Sequence, residues 1–182
     1  MPTCPPVGCL LYRWRGLVPE TVDVAGVRYG PKDFQTNNVL LEQVGIAALI
    51  AGASAEKAGR IGLFNTPPFL LGAEYQSVKM GCDFRLKSFN DYRVCIGLKR
   101  MASWDELTGD GDVRNALKSV YDNDVDRLEL VIGLLAEQGK DGALFGSLMN
   151  TMVASDAFAG GDHGEQALRR QAQGCGADGG AG

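Results

Sequence analysis

Tyr12, Arg13 and Arg15 near one end of the chain, and Asn90 with Arg93 near its middle, are the residues whose types bear most directly on chemistry. Tyr12 brings a ring to pack and a hydroxyl to bond. A guanidinium stays protonated and has no lone pair to give a metal, but it pairs well with carboxylates. That describes Arg15, while Arg13 fits an exposed face. Asn90 and Arg93 are three residues apart and fall on one helical face. Read alone, Asn90 suits a helix cap and Arg93 a surface ion pair.

Other chemistries lose support by elimination. The sole histidine, His163, lies in the Gly-rich stretch Gly160-Gly161-Asp162-His163-Gly164. Neither a Ser-His-Asp nor a Cys-His arrangement is expected with the imidazole there. The five cysteines, Cys4, Cys9, Cys82, Cys95 and Cys175, contain no Cys-x-x-Cys pair, so no zinc site is expected. Reduced thiols are expected, with Cys82 and Cys95 as small buried hydrophobes. Gly59-Arg60-Ile61-Gly62 is too short for a phosphate loop. Thr108-Gly109-Asp110-Gly111-Asp112 lacks the register and closing Glu of an EF-hand and reads as a turn.

The elements that must position these side chains read as helices. Residues 1–9 hold three Pro and one Gly and are expected to be irregular. The spacing predicts a helix over Leu10–Leu17, ending before Pro19. Glu20–Tyr29 alternates Val with polar residues and predicts a short strand or extended loop. Asp33–Ser54 is the strongest helical pattern, expected to be heavily buried and capped by Asp33 or Thr36. After a loop punctuated by Gly59 and Gly62, Pro67 and Pro68 suit the start of a helix over Phe69–Met80. Further helices are predicted over Asp91–Ile96, Asp112–Tyr121, Val125–Ala136 and Gly142–Phe158. Asp122-Asn123-Asp124 is expected to cap the third of these. Phe145, Leu148, Met149, Met152 and Val153 form an apolar stripe that reads first as core. The fold class is therefore all-α, with a helical body over residues 10–158 and a disordered Gly-rich tail over residues 159–182.

With 182 residues, 45% of them hydrophobic and 22% charged, the balance is that of an ordinary globular domain. A net charge of −4 gives no reason to expect nucleic acid or an anionic membrane as partner. No apolar run reaches the length of a membrane span, and no signal peptide is legible, so a cytoplasmic location is the default expectation.

Six segments, in order, resemble the animal-type haem peroxidases, in their cyclooxygenase and fatty-acid dioxygenase branch. They are Leu11-Tyr12-Arg13-Trp14-Arg15-Gly16-Leu17-Val18-Pro19, Ala58-Gly59-Arg60-Ile61-Gly62, Leu86-Lys87-Ser88-Phe89-Asn90-Asp91-Tyr92-Arg93, Trp104-Asp105-Glu106-Leu107-Thr108-Gly109, the run from Asp124 to Glu137, and Ala143-Leu144-Phe145-Gly146-Ser147-Leu148-Met149. The match corresponds to the C-terminal part of a much longer domain. The resemblance implies the helical fold of that family, haem b as cofactor, and peroxide or an unsaturated fatty acid with O2 as substrate. It makes Tyr12 the counterpart of the radical-bearing Tyr. In the family the first motif ends in the proximal His that ligates iron; here that position is Arg15. The resemblance further implies that Asn90 tunes the proximal ligand, that Arg93 lies by the haem propionates, and that Arg15 either binds a propionate or reaches into solvent. Phe145, Met149, Met152 and Val153 correspond to a substrate channel, and a partner chain would supply the distal half. The resulting expectation is a family oxidoreductase with impaired activity. The alternative is a non-catalytic helical remnant or a lipid-binding or interaction module.

Overall fold

The structure, a computed structural model, describes residues 8–34, 37–140 and 142–158. Expectations for residues 1–7, Thr36, His163 and the tail lie outside it. Among the described residues the elements are helices and a single two-stranded hairpin, which makes the fold all-α. The helices in chain order are α1 (Gly8–Leu11), α2 (Pro31–Phe34), α3 (Asn38–Val44), α4 (Ile46–Ala55), α5 (Leu71–Asp83), α6 (Phe89–Cys95), α7 (Trp104–Leu107), α8 (Gly111–Val120), α9 (Leu130–Ala136) and α10 (Ser147–Phe158). Strands β1 (Val22–Val24) and β2 (Val27–Tyr29) form an antiparallel hairpin. The chain divides into two units. The smaller is Trp14–Glu74, and the larger takes in the described residues up to Arg13 and from Tyr75 onward.

In the smaller unit, the alternation over residues 20–29 yields the hairpin, with Val22 opposite Tyr29 and Val24 opposite Val27. Val24 turns inward and is buried against α4. The expected single helix over Asp33–Ser54 does not form. It breaks into α2, α3 and α4, and the axes of α3 and α4 meet at 95°. Gly45 stands at the break with φ 76° and ψ 150°, a conformation closed to side-chain-bearing residues. Asp33 does not cap α3: the side-chain carbonyl oxygen of Asn37 accepts from Leu40 N–H at 3.4 Å. Heavy burial also fails, for Ile46 is 65% and Ile50 60% exposed, and Leu40 is the buried apolar residue of α3. Apolar residues run around both sides of this segment, and the two-stranded hairpin covers only one of them. Among the described residues no single helix is long and apolar enough to cross a membrane.

The expected helix over Leu10–Leu17 is also cut short. α1 stops at Leu11, and a separate 3-10 turn forms at Arg15–Leu17. Backbone docking explains the interruption. Gly59 N–H donates to Leu17 C=O at 3.1 Å, and a Cβ on Gly16 would lie 2.6 Å from the Arg60 carbonyl oxygen. Continuing α1 would forfeit that contact. Val18 then adopts extended geometry, as a residue before proline prefers.

The larger unit carries the main core, centred on Phe89, Leu107, Leu128, Leu130, Leu148 and Met149. α6 packs on α9, and α1 on α10. Two further boundaries differ from expectation. The segment from Val125 begins as a 3-10 turn, Val125–Arg127, and turns extended at Leu128 and Glu129 before α9 starts. The extension lets Leu128 C=O accept from Phe89 N–H at 2.8 Å. α10 starts at Ser147 rather than near Gly142, whose φ is 78°. Asp124 caps its turn as expected, accepting from Asp126 N–H at 2.9 Å. Asp110 does the same for α8. The cysteines depart from expectation as well: Cys82 is a free thiol on the exposed side of α5, and Cys95 is disulfide-bonded. Sequence spacing carries no information on which thiols approach through space.

Candidate functional site

Asn90 and Arg93 sit one turn apart on α6, whose start is fixed by Ser88 rather than Asn90. The Ser88 hydroxyl accepts from Asp91 N–H at 3.3 Å. Asn90 is an interior helical residue with no exposed surface. Its amide nitrogen donates to Met101 C=O at 3.0 Å and to Asp126 at 2.6 Å, and its carbonyl oxygen accepts from Met101 N–H at 2.8 Å. One amide thus clamps the loop after α6 to the turn before α9.

Asp126 also accepts from Arg100 at 2.8 Å, and Arg100 reaches Asp91 at 3.0 Å. The Asn90 amide first, and Arg100 second, hold the Asp126 carboxyl below its ordinary range. A carboxyl depressed in the folded state stabilises the fold above its unfolded value, and that contribution is lost as pH falls through the folded value. Wild type should therefore be more stable than Asp126→Asn at neutral pH. The gap should be no more than about 1 kcal/mol for so exposed a side chain and should close on acidification below about pH 4. Urea midpoints across that range check it, and a gap that does not narrow contradicts the assignment.

Arg93 is buried and held on three sides. Its Nε donates to Lys99 C=O at 2.8 Å, Nη1 pairs with Glu137, and the guanidinium lies 5.6 Å from the Phe89 ring centre. The other Glu137 oxygen accepts from Leu148 N–H at 2.8 Å. Gly146 makes room for this carboxylate, because a Cβ there would lie 2.6 Å from it. Glu137 was not singled out by sequence reasoning. Its available signal was its place closing the segment Gly133-Leu134-Leu135-Ala136-Glu137.

Tyr12 is half-exposed, and its hydroxyl donates to the Asp156 carboxylate on α10. That hydrogen bond, with a smaller contribution from burial, pushes the phenol pKa up. Met149 and Met152 on the same helix are core residues, while Phe145 and Val153 are half-buried.

Arg15 belongs to the smaller unit. It pairs with Glu74 at 3.0 Å, with side chains only 13% and 15% exposed, so the guanidinium does not reach into solvent. The Thr66 hydroxyl donates to the second Glu74 oxygen at 3.1 Å. Among the described residues no group of three or more His, Cys, Asp or Glu is placed to hold a metal ion.

Residues 67–163 match the animal haem peroxidase family. The chain belongs to that family. Prostaglandin G/H synthase 1 of Oryctolagus cuniculus is 36% identical over 151 residues, covering 82% of this chain and 25% of that protein. Prostaglandin G/H synthase 2 of Gallus gallus is 33% identical over the same shares. The chain thus spans about a quarter of the length of these relatives (25%). Its fold resembles the fatty acid alpha-dioxygenase of Arabidopsis thaliana, with a TM-score of 0.71 and 20% identity over 81% of this chain and 28% of that one. Peroxidase A of Dictyostelium discoideum aligns with a TM-score of 0.65 and 21% identity over 88% of this chain and 35% of that one.

Haem is the cofactor of this peroxidase family. The described residues do not fit iron ligation by an imidazole at position 15. Arg15 has no lone pair to donate, and its guanidinium already answers a carboxylate of its own chain. Both amide hydrogens of Asn90 and the charge of Arg93 are likewise engaged within the chain.

Proposed function

We propose that this chain is a haem-peroxidase-family member, of the class that oxidises with peroxide or adds O2 to an unsaturated fatty acid, in which an internal ion pair has replaced iron ligation at position 15. Its own peroxidase or dioxygenase activity is then lost or strongly impaired. The observation that carries this reading is the Arg15–Glu74 pair, largely screened from solvent and braced by Thr66. Guanidinium prefers such a planar carboxylate partner and cannot substitute for imidazole on iron. Tyr12 remains the residue assigned to carry an oxidising equivalent, with Asp156 fixing its hydroxyl, and Phe145, Met149, Met152 and Val153 remain the residues assigned to the substrate channel.

Haem titration of the purified chain tests the proposal, read by the Soret band beside an Arg15→His variant. The natural chain is expected to give no one-to-one Soret complex, and the variant to give one. Stoichiometric, tight binding by the natural chain sinks the proposal. A second reading, a non-catalytic helical module, draws on the exposed apolar residues Val39, Leu41, Ile46 and Ile50 of α3 and α4. That reading expects neither protein to bind haem.

A further inference from the structure

Four oxidisable or titratable side chains of the larger unit form an unbroken series of contacts from its core to its surface, none of them assigned above to haem or substrate. Trp104, at the start of α7, is buried, and its indole N–H has no hydrogen-bond partner among the described residues. Its ring stacks on that of Tyr121, with centres 6.1 Å apart and planes inclined by 30°. Tyr121 is buried too, and its hydroxyl donates to one oxygen of Glu129 at 2.5 Å. The other oxygen of the same carboxylate lies 3.8 Å from the Cys82 sulfur and accepts from its thiol. Cys82 is exposed, at the lip of a groove that Lys87, Ser88 and Arg127 also line.

We propose that this series is a radical relay, in which Glu129 shuttles protons while an oxidising equivalent passes from the Trp104–Tyr121 pair to the Cys82 thiol. An aromatic pair is a ready source of an electron, and a phenol loses one far more easily when a base takes its proton in the same event. Burial and the Glu129 contact hold that proton on Tyr121 in the resting protein, so oxidation and proton transfer must go together. The balance closes at each step. A one-electron oxidant of the outer-sphere metal-complex class takes one electron from Tyr121; the phenolic proton passes to Glu129, leaving a tyrosyl radical and a carboxylic acid. The radical then takes one electron from Cys82. Glu129 returns its proton to the Tyr121 oxygen and receives the thiol proton on its other oxygen, which it releases to water. The product is a thiyl radical at the surface, with Tyr121 restored. The two-sided contact of one carboxylate is what this exchange requires, and neither step involves iron.

The full chain tests the relay with photogenerated tris(bipyridine)ruthenium(III) as oxidant, a nitrone spin trap, and peptide mapping of the trapped adduct. Wild type is expected to carry the adduct on Cys82. Tyr121→Phe keeps the stacked ring but loses the hydroxyl, and Glu129→Gln keeps a hydrogen-bonding group but loses the base. Each should lower the Cys82 adduct by about tenfold or more. In Cys82→Ser the radical has no exit, and a tyrosyl signal should accumulate in the electron paramagnetic resonance spectrum and vanish when Tyr121→Phe is added. An undiminished adduct in Tyr121→Phe would mean that the exposed thiol is oxidised directly, and the relay falls. It falls equally if Cys82→Ser, a change at an exposed position that keeps the fold, accumulates no radical on Tyr121.

Discussion

Glu137→Ala is expected to lower the stability of the chain by about 3–5 kcal/mol, the cost of stranding one member of a buried ion pair. Arg93 and Glu137 are 8% and 2% exposed at their side chains, so water cannot take over the lost partner's role. Leu148 N–H loses its acceptor in the same change. Against a total stability of roughly 5–15 kcal/mol for an ordinary domain, this loss should leave a substantial fraction unfolded at 37 °C. Urea denaturation followed by circular dichroism measures it. The double variant Arg93→Met/Glu137→Met should be more stable than Glu137→Ala, because no charge is then left buried without a counter-charge. If the double variant is less stable than Glu137→Ala, packing and not charge dominates at this position.

Asn90→Leu is expected to cost about 2–4 kcal/mol, although leucine keeps asparagine's number and branching of side-chain heavy atoms. The change leaves Met101 N–H and Met101 C=O buried without partners, at about 1–3 kcal/mol for each group. It also releases Asp126 from its shortest contact. The loss should appear in protein that has never seen haem. That separates the clamp from the ligand-tuning role that the family resemblance assigns to Asn90, which would leave stability without haem unchanged. A loss below about 0.5 kcal/mol, the scatter of neutral surface changes, would show that the loop is held by other contacts.

Arg93 and Asn90 were selected from the sequence for chemistry, and the expected effects of breaking their contacts are structural. Asn90 and Arg93 were legible as a pair on one helical face, because a spacing of three fixes that whatever the surroundings. Their partners were not legible. Met101, Asp126 and Glu137 are 11, 36 and 44 residues away along the chain, and no local pattern announces contacts at such separations. Glu137 is the instructive case. A single acidic residue at the end of an apolar helix reads as a surface charge, and only the arrival of Arg93 and Leu148 N–H turns it into a buried anchor.

Family membership and helical class came from the sequence by itself, since ordered motifs and apolar periodicity are properties of the chain alone. The same holds for the absence of an iron-ligating side chain at Arg15, which the chemistry of guanidinium settles without coordinates. The approximate positions of α5, α6 and α8 also followed from proline placement and apolar spacing, and alternation over residues 20–29 announced extended chain but not the turn that pairs it as a hairpin. Tertiary structure decided where local pattern and packing disagreed. Leu10–Leu17 yields its helix to the docking of Gly16 and Leu17 on Gly59 and Arg60. Residues 33–54 bend at Gly45 although their apolar content reads as one buried helix. The stretch 125–136 opens at Leu128 to bond Phe89. In the first and third cases, a few backbone contacts made over long separations outweighed helical propensities worth only tenths of a kcal/mol per residue, while the bend at Gly45 rests on a backbone conformation that glycine alone adopts readily.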